Sequence, residues 1–111
     1  MFWKFKVEPL LVDVMTRYDD NAREQALRKL YRKRKRAVPE LVEQLKSSIF
    51  NCDKWFRYSD AAAQVLLALA QTDAGTRDLI IKKLVAASKD RKGDFKVLPS
   101  YLLSALGYRN D

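Results

Sequence analysis

Apolar residues recur at three- and four-residue spacing along most of the chain, which is the spacing of one face of an α-helix. The first strong stripe covers residues 20–36 and follows a pair of aspartates that can cap a helix start. The same spacing predicts five further helices, at about 5–17, 38–45, 53–71, 76–88 and 95–106. No segment alternates as a strand does, and the short connections predict antiparallel neighbouring helices.

The prolines and one glycine refine these boundaries. Proline is tolerated in the first turn of a helix, so we expect Pro9 and Pro39 to lie in the first turns of their helices. Gly107 follows the last apolar position, where a C-terminal glycine is common. The helix predicted over 53–71 has two possible starts. Asp53 could cap it, or a residue at 59–60 could cap a shorter helix.

Two helix pairs share one spacing of apolar positions. A shift of 39 residues superposes four pairs: Leu27 with Leu66, Leu30 with Leu69, Leu41 with Ile80, and Leu45 with Leu84. The shift predicts an internal repeat in which all eight side chains are buried. The alternative is an ordinary helical bundle, since most of the matches pair one apolar residue with another.

The segment over 22–45 resembles a HEAT repeat. Residues 22–30 have an Ala-x-x-Leu-like seam, as an A helix has, and residues 38–41 have the Val-Pro-x-Leu-like start of a B helix. The second unit, 62–87, keeps the seam but has Gly-Thr-Arg-Asp at 75–78 in place of Val-Pro, and the third has only an A helix. The resemblance implies an all-α fold, a short right-handed α-α superhelix of about 2.5–3 HEAT-like hairpins or five to six helices. It also implies a surface for a partner, without any catalytic residue.

Composition supports one folded domain over 1–111. Hydrophobic residues make up 48% and charged residues 32% of the 111 residues, which is typical of a folded chain. No apolar run approaches the length of a membrane-spanning helix. Lys4, Lys6 and Glu8 interrupt the first apolar segment, so we expect no signal peptide. The single cysteine forms no internal disulfide, and we therefore expect a cytoplasmic protein.

The residue types that are absent argue against an enzyme. The chain has no histidine, which removes His-dependent nucleophilic catalysis and most zinc sites. Cys52 has no histidine to activate it, and no Gly-rich phosphate-binding loop is present. We therefore expect no catalytic residue, no metal site and no cofactor.

One basic run accounts for almost all of the net charge of +8. The segment 28–36 contains seven cations, and the rest of the chain contains 15 basic and 14 acidic residues. On a single helix these cations lie opposite or beside the apolar stripe. The candidate polyanion-binding residues are Arg28, Lys29, Arg32, Lys33, Arg34, Lys35 and Arg36. Two other interpretations of the basic run stay open: it is a solvent-exposed face without a binding role, or it binds an acidic protein partner.

These observations favour a non-enzymatic helical scaffold or adaptor that binds a protein partner. The alternative is a small basic protein that binds nucleic acid through residues 28–36. A homodimer through the C-terminal helix is a further alternative. That helix has no B helix after it, so we expect a surface without cover at Tyr101, Leu102, Leu103, Leu106 and Tyr108.

Overall fold

A computed structural model describes residues 6–15, 19–46, 50–52, 55–89 and 97–108. These residues form six helices, which confirms the all-α prediction. The helices are α1 (Glu8–Val14), α2 (Asp20–Arg32), α3 (Arg34–Gln44), α4 (Tyr58–Ala70), α5 (Ala74–Ser88) and α6 (Val97–Ala105). One short antiparallel pair, β1 (Phe50–Asn51) and β2 (Phe56–Arg57), was not expected from the sequence.

Helix α4 lies at the centre of the fold. It contacts α1, α3, α5 and α6. Its sequence is apolar on more than one face, and Ala61, Ala62, Val65, Leu66 and Leu69 are all buried. Alanine lets neighbouring helices approach closely, while the branched residues between the alanines fill the space that remains. An all-round apolar helix of this kind is expected in a core position.

The leucine pattern found in the sequence marks the core. Seven of the eight predicted side chains are buried: Leu30, Leu41, Leu45, Leu66, Leu69, Ile80 and Leu84. Leu27 is the exception, because it is only partly buried against the core. The superhelical, HEAT-like arrangement of the hairpins stays a prediction.

The prediction of one continuous helix over 20–36 is wrong, because the chain turns at Lys33. The Lys33 amide donates to the Lys29 carbonyl at 3.0 Å and closes α2. The Lys33 carbonyl accepts from the amides of Arg36 and Ala37 and opens α3. Like charges three or four residues apart destabilise a helix, so the turn relieves a repulsion that a single helix would retain.

This early start changes the position of Pro39. Since α3 begins at Arg34, Pro39 lies in the second turn and not in the first, as the sequence had indicated. It has no N–H to donate to the carbonyl of Lys35. Pro9, by contrast, lies in the first turn of α1, as predicted. Gly107 follows α6 with a φ of 79°, which confirms its predicted place.

The segment before α4 differs from the predicted helix. Helix α4 begins at Tyr58 after an extended Arg57, and no side chain caps it. The candidate caps at 59–60 therefore lie inside the first turn, and Asp53 lies outside the described residues. Trp55 lies inside the range of the helix predicted over 53–71, but it precedes α4, is 82% exposed and has a φ of 57°.

Helix α6 is better covered than the sequence suggested. Leu102 is 0% and Leu103 is 7% exposed, and Leu106 packs partly against the core. Tyr101 remains exposed at 64%. Most of the expected uncovered surface is therefore already packed inside the chain. None of the helices that the structure describes has the length and apolar character needed to cross a membrane.

A candidate partner-binding groove beside a basic corner

The seven cations of 28–36 surround the turn between two helices, and we call this region the basic corner. Arg28, Lys29 and Arg32 come from the end of α2, and the first turn of α3 supplies the cations that follow Lys33. Six of the seven are exposed. The exception, Arg34, is partly buried. The structure thus gathers the whole predicted set around one turn, on a surface that belongs to two helices.

The two helix ends at this corner have opposite electrostatic preferences. Cations are favoured at the C-terminal end of α2 and disfavoured at the N-terminal end of α3, where the helix dipole is positive. The first turn of α3 contains no acidic residue, and no side chain caps it. Among the described residues, the corner makes one salt bridge, between Arg28 and Glu24 at 3.6 Å. Much of its charge is therefore uncompensated.

Arg34 is fixed against the end of α2. Its guanidinium lies over the ring of Tyr31, 4.6 Å from the ring centroid. Its Nη1 also donates to the Tyr31 carbonyl at 3.2 Å, which satisfies one of the free carbonyls at the helix end. A cation over an aromatic face is attracted by the ring quadrupole. Arg34 therefore sets the geometry of the corner as well as adding charge to it.

A hydrogen bond connects the corner to the start of α5. The Tyr31 hydroxyl donates to Asp73 Oδ2 at 2.7 Å. Asp73 caps α5, because its carboxylate accepts from the Thr76 amide at 2.7 Å and from the Thr76 hydroxyl at 3.0 Å. The Thr76 amide first, and then the Tyr31 hydroxyl, lower the pKa of Asp73 to about 2. The same bond from Tyr31, reinforced by partial burial, raises the pKa of the Tyr31 hydroxyl.

A groove of about 670 Å³ lies between α2 and α4, next to the basic corner. Leu27, Ala68 and Leu69 give it an apolar lining, together with the ring of Tyr31. Its remaining lining residues are Glu24, Arg28, Arg32, Arg34 and Thr72. The groove thus combines an apolar floor with three arginines, and its volume is in the usual range for a ligand-binding site.

A second cleft of about 530 Å³ lies between α3 and α5. Arg34 lines this cleft as well as the groove, and Lys35 and Lys83 line it from the two helices. Asp73 and Thr76 are also part of its wall, but their polar atoms already bond to each other. This cleft is the more polar of the two, so it offers less apolar contact to a partner.

The predicted candidate residues divide between these surfaces. Arg28, Arg32 and Arg34 line the groove, and Lys35 lines the cleft. The other three members of the corner, Lys29, Lys33 and Arg36, are exposed and line neither. The groove itself was not expected from the sequence. Nor was the bond from Tyr31 to Asp73, because 42 positions separate the two residues and no local pattern connects them.

The described residues contain no group of three acidic or cysteine side chains placed to hold a metal ion. No protein-family model matches the chain, and comparisons with curated proteins and with solved structures also find no match.

Proposed function

We propose that this protein is a non-enzymatic helical scaffold or adaptor, with HEAT-like hairpins, that binds a protein partner in the groove between α2 and α4. The groove itself is the observation that supports the proposal most directly. It is concave, apolar at its floor and adjacent to an uncompensated basic surface. Apolar surfaces that polar residues surround are typical of protein interaction sites.

The polar groups in the groove support binding rather than chemistry. The Tyr31 hydroxyl is bonded to Asp73, and the Thr72 hydroxyl donates to the Leu69 carbonyl. The groove therefore offers a partner mainly apolar contact from its floor and charge from its arginines. Such contacts suit recognition of another protein, since buried apolar area contributes affinity and charge contributes orientation.

The proposal is tested by affinity capture from an extract of the cells that produce the protein. Ala68 is exposed and lines the groove, so Ala68→Trp should fill the groove without entering the core. Ala105→Trp, the same change on the exposed side of α6, is the matched control. We expect a set of proteins that the wild type and the control retain and that Ala68→Trp loses. Identical captured proteins for all three baits would contradict the proposal.

A second candidate function is binding of nucleic acid or another polyanion at the basic corner. Its specific support is that six of the seven cations make no salt bridge to a described residue. Gel shifts with duplex DNA and RNA at two salt concentrations test it. Changing Arg32, Lys35 and Arg36 to Gln should reduce the slope of log affinity against log salt by about 0.9 for each duplex phosphate that the variant no longer neutralises. Ala68→Trp should leave this binding unchanged.

Self-association through α6 does not enter the proposal, because Leu102 and Leu103 are buried within the chain. Among the side chains of α6 that the structure describes, Tyr101 is the one large apolar side chain that stays exposed. The cytoplasmic location stays an expectation from the single cysteine.

A further inference from the structure

We infer that the groove binds an amphipathic α-helix of a partner protein, with acidic side chains flanking an apolar stripe. This inference rests on the proposed function and names the chemistry of the partner. It follows from the charge around the groove, from the length of the floor and from the nature of its walls.

Charge complementarity selects an acidic partner. Arg28, Arg32 and Arg34 line the groove, and Glu24 is the only carboxylate among its lining residues. Glu24 is already paired with Arg28 at 3.6 Å. Arg34 lies near Asp73 and its charge helps to lower the pKa of that carboxyl. Arg32 is therefore the arginine of the groove that has no carboxylate partner among the described residues. Aspartates or glutamates beside the apolar stripe of a ligand would supply the missing charges, and a basic ligand would be repelled.

The length of the groove along α2 matches a short helix of a partner. The groove runs along α2 from Glu24 to Arg32, which is about 12 Å at the rise of an α-helix. That distance corresponds to slightly more than two helical turns. Side chains at positions i, i+4 and i+7 of a partner helix span a similar length. Together they would pack on the apolar lining that Leu27, Ala68 and Leu69 form.

The walls of the groove favour a helix over an extended peptide. Both walls are α-helices, whose backbone N–H and C=O groups bond within each helix. An extended peptide adds to the edge of a sheet, and neither wall offers such an edge. A helical ligand already satisfies its own backbone, so it loses no hydrogen bonds when it enters an apolar groove.

The floor also favours a protein over a nucleic acid. Single-stranded nucleic acids bind by stacking bases on aromatic rings above a basic surface. Tyr31 is the single aromatic side chain that lines the groove, and Arg34 already lies over its ring. Leu27, Ala68 and Leu69 offer nothing to a phosphate. A nucleic acid would use the exposed cations of the basic corner and leave the groove unfilled.

The test starts from a displayed library of random 16-residue peptides, selected on the wild-type protein and counter-selected on the Ala68→Trp protein. We expect enriched peptides with a net negative charge and with apolar residues at i, i+4 and i+7. Circular dichroism and thermal unfolding establish that each protein variant is folded. Synthetic enriched peptides, labelled with a fluorophore, are then titrated and followed by anisotropy.

Three protein variants determine where and how such a peptide binds. Ala68→Trp should weaken binding at least about tenfold, since it occupies the floor. Arg28→Gln with Arg32→Gln should weaken it roughly 2- to 30-fold, the range expected for two exposed charge pairs. The matched control is Lys82→Gln on α5 with Lys89→Gln directly after that helix. It removes the same charge outside the groove and should change affinity less than about twofold.

Several results would overturn the inference. One is the absence of peptides whose enrichment depends on Ala68. Another is enrichment of neutral or basic peptides, or equal affinity for a peptide whose acidic residues are replaced by Gln. Equal competition by polyglutamate or duplex DNA would assign the site to a general polyanion surface. If the peptide experiment fails but Ala68→Trp still loses proteins that the wild type captures from the cell extract, the adaptor function is retained and the inferred ligand chemistry is wrong.

Discussion

At the scale of single residues, the bond from Tyr31 to Asp73 determines how the basic corner is held. Asp73 caps α5 and accepts the Tyr31 hydroxyl with the same carboxylate, so one side chain fixes two helices. Tyr31 in turn contributes its ring to the groove and holds Arg34. Local changes at this bond should therefore alter both stability and the shape of the groove.

Asp73→Asn isolates the charge of this carboxylate, since asparagine keeps an oxygen that can cap the helix. The pKa of Asp73 is lowered to about 2 in the folded protein, below that of an ordinary aspartate. Its stabilisation is therefore complete above about pH 4 and is lost as the pH falls towards 2. Urea unfolding should show a wild type that is more stable than Asp73→Asn at pH 7 and a difference that shrinks between pH 4 and 2.

Tyr31→Phe tests the hydroxyl in this interaction. The variant keeps the ring under Arg34 but removes one of the bonds that lower the pKa of Asp73. We expect a smaller loss of stability between pH 4 and 2 than in the wild type, because the Thr76 amide still bonds to Asp73. A pH profile identical to that of the wild type would contradict the assigned role of Tyr31.

At the scale of elements, the first turn of α3 combines a positive helix end with three cations and no acidic residue. Lys35→Glu should raise the free energy of unfolding by about 0.3–1 kcal/mol at low ionic strength, because it reverses an unfavourable charge at that end. Lys29→Glu is the control variant. It relieves the same repulsion among the cations but places a negative charge at the C-terminal end of α2. Its free energy of unfolding should therefore rise less than that of Lys35→Glu, or fall.

Denaturant unfolding of Lys35→Glu and Lys29→Glu at low salt tests whether the helix ends determine the stability of the basic corner. A larger gain for Lys29→Glu than for Lys35→Glu would mean that the helix ends do not control the energetics of the corner. High salt should reduce both effects, since the charges are exposed to solvent.

Two leucines of α2 distinguish the core from the groove. Leu30 is fully buried, and Leu30→Ala should cost about 2–5 kcal/mol in unfolding free energy. Leu27 is partly buried and lines the groove, so Leu27→Ala should cost less and should weaken a groove ligand more. Equal losses of stability for the two variants would contradict this division of the helix face.

The helices and the core were largely predictable from the sequence, and the site was not. Apolar spacing depends on residues within one helix, so it located six helices and seven of eight buried side chains. The sequence did not predict the turn at Lys33, because the apolar stripe alone is compatible with a continuous helix. The sequence did not predict the groove, because its walls come from residues that lie about 40 positions apart and are brought together only by the fold.

At the scale of the whole molecule, the charge distribution predicts a dependence of stability on salt. Nearly all of the excess charge lies in the segment 28–36, where seven cations share one salt bridge to a described residue, from Arg28 to Glu24. Raising sodium chloride from about 0.02 M to 0.5 M shortens the screening length severalfold. Thermal unfolding should show a larger salt stabilisation for the wild type than for the variant with Gln at Arg32, Lys35 and Arg36. An equal rise of the unfolding temperature with salt in both proteins would mean that the repulsion arises from other charges.

In the predicted repeat, α2 belongs to the first helical unit and α4 to the second, so the groove lies at the junction between two units. Neither unit alone contains both walls. Reversing the order of the units, or inserting a third between them, would therefore remove the groove without any point substitution. Binding that depends on the groove should be lost in such a rearranged chain.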